Sequence, residues 1–163
     1  MSNKKFMVKC ITALMLCLIG LASCRDKIPT NEIHYTTIDN SFLPIKDLFY
    51  FGAGRIVSNS YDPDKNVCIL KLDKDVTKIG NDAFHNCLSL TSITIPPLVT
   101  KIGNATFLNC FSLTYITIPP SVTEIGAFAF LNCYSLTEVR IPKGCYVTES
   151  AFKDCPNVQI IRY

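Results

Sequence analysis

The segment at residues 76–98 reads VTKIGNDAFHNCLSLTSITIPPL, and two near copies of it follow directly. Residues 99–121 read VTKIGNATFLNCFSLTYITIPPS, and residues 122–144 read VTEIGAFAFLNCYSLTEVRIPKG. The three units align without gaps, and each is 23 residues long. A fourth, irregular unit at residues 145–163 keeps a Phe and a Cys in step at a spacing of 22. Because one unit cannot bury its apolar residues alone, the repetition predicts units that stack around a continuous core.

Each unit contains two short extended stretches. Leu90, Ile93 and Ile95 have the spacing of a short strand, and the two prolines that follow end it. Residues 76–79 form the second stretch. Gly80 comes directly after it and is expected to allow a tight turn with positive φ.

The residues between the two stretches predict one turn of helix. Asn81, and Asn104 in the next unit, are suited to cap such a turn. The turn would carry Ala83, Phe84 and Cys87 into the core. Stacked units of this kind predict a parallel sheet with helical turns beside it.

The spacing L-x-x-I-x-I and the block I-G-x-x-A-F-x-x-C-x-S-L resemble the BspA-like leucine-rich repeats, which occur in surface lipoproteins of anaerobic bacteria and in some parasites. The resemblance covers residues 76–163. It implies an α/β fold, a right-handed leucine-rich-repeat solenoid with short parallel strands and single helical turns.

Residues 35–72 are similar to the segment that these lipoproteins place before their repeats, chiefly in FGA at 51–53 and IVSNSY at 56–61. We therefore expect an N-terminal β-rich cap over residues 33–75. In register, Val67, Leu70 and Leu72 match the apolar residues of the first repeat strand. They are therefore expected to form a capping strand.

The N-terminus has the pattern of an export signal. Lys4, Lys5 and Lys9 flank the start of an apolar run at residues 10–22. That run is shorter than the ~20 residues that span a bilayer as a helix, and it matches a secretory signal.

The tetrapeptide Leu21-Ala22-Ser23-Cys24 ends this run and resembles the lipobox of bacterial lipoproteins. The resemblance implies that residues 1–23 are removed and that Cys24 is lipidated. The protein would then be exported and held at a membrane, at the outer membrane or cell surface, with residues 24–32 as a tether. An ordinary signal peptide or an uncleaved anchor is the alternative.

The charge balance gives no support for a nucleic-acid partner. The chain has 16 Lys and Arg against 13 Asp and Glu, and removal of the three signal lysines leaves 13 against 13. A nucleic-acid-binding protein needs a basic face that survives maturation.

The cysteines predict a buried ladder of thiols. Cys87, Cys110, Cys133 and Cys155 recur at the same position of each unit. Equivalent side chains in stacked units lie ~4.8 Å apart and point the same way, whereas disulfide Cβ atoms converge to about 3.8 Å. We therefore expect free thiols here, and Cys68 and Cys145 stay unassigned.

No catalytic or metal-binding pattern is evident. Neither His34 nor His85 has a nucleophile at motif spacing, and residues 62–66 predict a turn rather than a calcium loop. The glycosylation triplet at residues 104–106 is interpreted as a coincidence. The sequence thus predicts no enzyme, no metal and no cofactor.

The outward residues of the repeat strands predict a binding face, since curved repeat arrays use their concave face for partners. Two columns are expected, one through Lys71, Thr94, Thr117, Arg140 and Arg162 and its neighbour through Ile69, Ser92, Tyr115, Glu138 and Ile160. The candidate ligand-binding residues are Lys71, Ser92, Thr94, Tyr115, Thr117, Glu138, Arg140 and Arg162. A solvated sheet surface without a ligand is the alternative.

We therefore predict a lipid-anchored surface protein that binds other proteins, with a host surface or extracellular-matrix protein as the partner that the resemblance implies. A periplasm-facing envelope scaffold or a shortened repeat array without a ligand is the alternative. Residues 158–163 would form an edge strand, for which two explanations stay open: pairing of these strands in a homodimer, or shortening of a longer array.

Overall fold

The computed structural model describes residues 29–43, 45, 51 and 54–163. Within these residues the chain forms β-strands and no helix. The strands are β1 (Glu32–Thr37), β2 (Ile56–Asp62), β3 (Val67–Leu72), β4 (Lys78–Ile79), β5 (Leu90–Thr94), β6 (Lys101–Ile102), β7 (Tyr115–Thr117), β8 (Glu124–Ile125), β9 (Glu138–Ile141), β10 (Tyr146–Val147) and β11 (Gln159–Arg162).

The repeat region is a β-solenoid whose turns contribute to two sheets. One sheet contains β4, β6, β8 and β10, paired in parallel in the order of the chain. The other sheet contains β7, β9 and β11, which also pair in parallel. β5 lies beside β7, because the Thr114 N–H donates to the Thr91 carbonyl at 3.2 Å. The predicted stacking of repeat units is therefore confirmed.

The predicted single helical turns are wrong. The residues between the two strands of each unit form consecutive turns, and their alternate N–H groups donate to the next unit. The pairs are Asp82 to Asn104 (3.0 Å), Phe84 to Thr106 (2.8 Å) and Asn86 to Leu108 (2.9 Å). A helix uses these groups within itself, four residues back. Left-handed φ angles of 57° at Asp82 and 59° at Asn86 turn the chain instead.

The asparagines predicted to cap helices connect neighbouring units instead. The Asn81 Oδ1 atom accepts the Asn104 N–H at 2.8 Å, and the Asn104 Oδ1 atom accepts the Ala127 N–H at 2.9 Å. Each side chain thus satisfies a backbone donor of the unit that follows.

Gly103 and Gly126 are required by close stacking rather than by their φ angles. Neither Gly103 nor Gly126 has a positive φ, in contrast to the expectation for this repeat position. A Cβ atom on Gly103 would lie 2.6 Å from the Asn81 nitrogen and from the Gly80 carbonyl carbon. The backbones of successive units approach too closely there for any side chain.

A ladder of phenylalanine rings runs through the core. The rings of Phe84, Phe107, Phe130 and Phe152 stack in sequence with centroids 5.3, 5.1 and 5.0 Å apart. Phe51 meets Phe84 edge-on at 5.9 Å. The ladder thus links the cap to the last unit.

The predicted thiol ladder lies beside the rings. Cys68, Cys145 and the four ladder cysteines are all free and buried. The Cys110 and Cys133 thiols each donate to the carbonyl of the preceding unit's phenylalanine at 3.2 Å, and the Cys155 thiol does so at 2.9 Å. Burial raises the pKa of Cys87 to about 12, so this thiol stays protonated at neutral pH.

The N-terminal cap is a β-structure whose strand order corrects the prediction. Its sheet has the order β2-β3-β1-β5, and β1 pairs antiparallel with both β3 and β5. The predicted capping strand, β3, therefore does not lie next to the first repeat strand. Residues 63–66, within the predicted stretch, form the turn between β2 and β3.

The cap begins inside the segment assigned to the tether. The Thr30 carbonyl accepts the Val76 N–H at 2.8 Å, the Asn31 side chain donates to the Leu72 carbonyl at 3.0 Å, and β1 begins at Glu32. Residues 30–32 are thus part of the cap. The signal segment and Cys24 lie outside the described residues.

The last strand is displaced by one residue from the predicted register. Arg162 pairs with Ile141, and Ile161 pairs with Arg140. A shift of one residue moves a strand's side chains to the opposite face. Arg162 and Ile160 therefore lie on the core side of β11, and neither belongs to the predicted outward columns.

Candidate functional site: the outward sheet face

Six neighbouring strands present one outward surface, which we term the sheet face. Its strands follow the order β3, β1, β5, β7, β9 and β11. Its residues are Ile69, Lys71, Glu32, His34, Thr36, Ser92, Thr94, Tyr115, Thr117, Glu138, Arg140, Gln159 and Ile161. They lie outward because their strand neighbours, such as Ile116 and Val139, are buried in the core.

Tyr115 is the largest exposed side chain of this face. It begins β7 and is 57% exposed, and its strand partner on β9 is Glu138. Thr117 lies beside Arg140 in the same register. Four predicted site residues, from two consecutive units, are therefore neighbours.

Charged side chains form ion pairs on β9 and, on the other side of Tyr115, on the strands of the cap. On β9 the Arg140 Nε atom lies 3.1 Å from Glu138 Oε1, and both side chains are about half exposed. On the cap side, Glu32 lies 3.1 Å from His34 Nε2 and 3.7 Å from Lys71 Nζ. The two groups carry opposite charges in pairs, so the sheet face has no single sign of charge.

Hydroxyl groups fill the space between the ion pairs. The Thr36 hydroxyl lies 2.6 Å from that of Thr91 and 2.7 Å from that of Ser92. Thr94 is exposed and lies opposite His34. This polar surface suits hydrogen bonding to a partner, with Tyr115 as an amphipathic contact.

Sequence reasoning missed the contribution of β1. Glu32, His34 and Thr36 reach the sheet face because β1 lies between β3 and β5, and they separate Lys71 from Thr94. The signal available was the alternation in EIHYTT, where Ile33, Tyr35 and Thr37 are buried. That alternation predicts a strand but not its neighbours.

The described residues contain no metal-binding cluster that competes with this surface. Among them no group of three His, Cys, Asp or Glu side chains could hold a metal ion. The exposed His85 Nδ1 atom lies 3.5 Å from Asp82 Oδ1. In the glycosylation triplet, the Thr106 hydroxyl is buried and lies 2.9 Å from the Gly103 carbonyl.

Among the described residues there is no helix with the length and hydropathy needed to cross a membrane.

Comparison with known proteins gives one family match. The family model described as the BspA type leucine rich repeat region matches residues 54–163 in six copies. The match therefore includes β2 and β3, which the sequence assigned to the cap. No curated protein matches the chain.

Solved structures of bacterial leucine-rich repeat proteins are similar to the chain. One from Bacteroides capillosus ATCC 29799 is 24% identical, with a TM-score of 0.50 over 66% of this chain and 74% of its own. One from T. pallidum is 22% identical, with a TM-score of 0.49 over 72% and 71%. A leucine rich cell surface protein from Faecalibacterium prausnitzii A2-165 is 29% identical, with a TM-score of 0.43. That likeness covers 55% of this chain and only 30% of the other.

Proposed function

Because the chain belongs to the BspA-type leucine-rich repeat family, we propose that it is a lipid-anchored cell-surface protein whose sheet face binds a protein partner. The family indicates a protein-binding scaffold and is generally non-catalytic, and its repeats are typical of bacterial cell-surface proteins. A host surface or extracellular-matrix protein is the proposed partner. The observation that carries the proposal is the exposed Tyr115, set between hydroxyl groups and two sets of ion pairs.

The composition of the sheet face fits a protein partner. Tyrosine and arginine are the residues most often responsible for binding energy at protein interfaces. Tyr115 and Arg140 lie on neighbouring strands, and Arg140 is about half exposed beside its own ion pair with Glu138. The hydroxyls of Ser92, Thr94 and Thr117 around them provide hydrogen-bonding groups without burying a charge.

The size of the sheet face predicts weak binding by a single copy. Six strands at ~4.8 Å spacing cover ~24 Å, and strands of ~15 Å give ~360 Å² of projected surface. A stable interface uses ~800 Å² from each partner. Many copies on one cell would therefore act together, since linked weak contacts gain ~100-fold or more in avidity.

The lipid anchor would hold the repeats close to the membrane. Cys24 follows the apolar run directly, and five residues separate it from Thr30, where the cap begins. Five extended residues span at most ~18 Å. Two acyl chains on Cys24 suffice for stable anchoring, because each buried CH₂ contributes ~0.8 kcal/mol.

The test is adhesion by cells that carry the full-length protein. Extracellular matrix laid down by cultured epithelial cells serves as the probe. We expect Tyr115→Ala combined with Arg140→Ala to reduce adhesion at least ~10-fold, since each is an exposed anchor of the sheet face. Tyr146→Ala with Lys143→Ala is the matched control, because both residues are exposed and lie outside this face. Unchanged adhesion by the folded Tyr115/Arg140 double variant would refute the site.

A further inference from the structure

A depression lies beside Phe152, the last ring of the phenylalanine ladder within the described residues. It is widely open to solvent and has a volume of about 590 Å³. Apolar side chains of Val147, Phe152 and Ile160 line it, together with charged side chains of Glu149, Lys153 and Arg162. None of these residues belongs to the sheet face.

Phe152 offers an aromatic surface to this depression. One face of its ring stacks on Phe130, with centroids 5.0 Å apart and planes 9° apart. Within the described residues the ladder ends there, and Phe152 is only partly buried. A flat ring entering the depression would continue the stacking at the same spacing, a geometry that aromatic pairs favour.

Arg162 is held at the edge of the depression by the backbone. Because β11 is displaced by one residue, Arg162 turns to the core side, where its Nη1 atom donates to the carbonyls of Pro142 (3.1 Å) and Cys145 (2.8 Å). A guanidinium carries five N–H donors in a fixed fork. Within the described residues the two bonds to carbonyls are the hydrogen bonds of the guanidinium, and its other donors suit a carboxylate.

Lys153 adds a second positive charge to the lining. In the described part of the chain, neither Lys153 nor Arg162 lies within ion-pair distance of a carboxylate. With Glu149 as the negative charge of the lining, the depression has a net charge of one positive unit. Its charge therefore favours an anionic ligand.

We propose that this depression binds an aromatic group that carries a carboxylate. The ring would stack on Phe152, and the carboxylate would meet Arg162 and Lys153. A free aromatic acid and a peptide that ends in an aromatic residue present the same chemistry. This site is independent of the protein-binding role of the sheet face.

The absence of tryptophan from the chain provides a clean assay. Indole fluorescence of N-acetyl-tryptophan, titrated with the full mature protein, reports on the ligand alone. We expect a saturable blue shift, and binding at least ~10-fold weaker for the neutral N-acetyl-tryptophanamide, because the charge-assisted hydrogen bonds are lost. N-acetyl-leucine, which carries the carboxylate without a ring, is not expected to compete. A short peptide ending in tryptophan, measured beside the free acid, distinguishes the two sources.

Lys153→Gln is the decisive variant, since Lys153 is exposed, whereas Arg162 also bonds to the backbone. We expect it to weaken N-acetyl-tryptophan binding ~3- to 10-fold. Lys143→Gln, an equal charge change outside the depression, is the matched control and leaves affinity unchanged. Equal binding of acid and amide, unchanged affinity of Lys153→Gln, or no blue shift would overturn the proposal.

A second copy of the chain is the competing occupant of this end. Sedimentation over a concentration series tests it directly. A dimer that Ile160→Asp dissociates and N-acetyl-tryptophan leaves intact would overturn the proposal and support pairing of β11 edges. A monomer that shows the saturable blue shift would support the ligand site.

Discussion

Replacement of Gly103 by alanine tests the close stacking on which the solenoid depends. The added Cβ atom would lie 2.6 Å from the backbone nitrogen of Asn81. Relief of that contact requires the two units to separate locally by ~0.9 Å, since ordinary contacts of carbon atoms begin near 3.5 Å. The obstacle is backbone, so no side-chain rotation can remove it.

The magnitude follows from the hydrogen bonds at this point. The Gly103 N–H donates to the Ile79 carbonyl at 2.8 Å, the Asn104 N–H to Asn81 Oδ1 at 2.8 Å, and the Asp82 N–H to the Asn104 carbonyl at 3.0 Å. A further ~0.9 Å takes all three beyond ~3.2 Å, the outer limit of a normal N–H···O bond. At ~1 kcal/mol each, the loss is ~3 kcal/mol. Typical domains have only about 5–15 kcal/mol of stability in total.

Urea unfolding followed by circular dichroism measures this difference. Gly144→Ala is the matched control, because a Cβ atom there meets nothing within 4 Å and the residue has no positive φ. We expect Gly144→Ala to leave stability unchanged or to raise it by up to ~1 kcal/mol. If Gly103→Ala and Gly144→Ala unfold at the same urea concentration, the reasoning about close stacking is wrong.

Two further changes test the turns and the thiols. Ala105→Asn should raise the free energy of unfolding by ~0.5–1 kcal/mol, because Ala105 has a left-handed φ of 51° that asparagine tolerates better. Ala105→Thr, which places a β-branched residue at the same left-handed φ, should show no such gain. The folded pKa of Cys87, about 12 against an ordinary 9.0, favours the folded state while the thiol is protonated. This contribution to the free energy of unfolding is complete below pH 9 and is lost as the pH rises towards 12. The urea concentration at the unfolding midpoint should therefore fall above pH 9, and it should fall less steeply in Cys87→Ala.

The repeat architecture could be predicted because its signal is local and periodic. Phe84, Phe107 and Phe130 recur at one spacing in the sequence. Only one register between stacked units brings equivalent side chains into contact, as the stacked rings show. The same register placed the cysteines beside one another, and the distance between stacked units excluded disulfides. The free, buried thiols follow from that spacing alone.

The cap and the last strand could not be predicted because they depend on distant pairing. The alternation in β1 indicates a strand, but no local feature shows that it lies between β3 and β5. The last unit is one residue shorter than the others between Val158 and Gln159. This loss of one residue shifts the register of β11 and turns Arg162 to the core side. The turns were misjudged for a third reason, since their N–H groups bond between units and not within a helix.

Protease treatment of intact cells tests most directly whether the sheet face is displayed on the cell surface. The mature chain is followed by antibody, with lysed cells as the control for its susceptibility. Cleavage in intact cells is the result we expect, because a surface anchor at Cys24 would leave the repeats outside the cell. Protection until lysis would contradict surface display and would favour a periplasm-facing envelope scaffold.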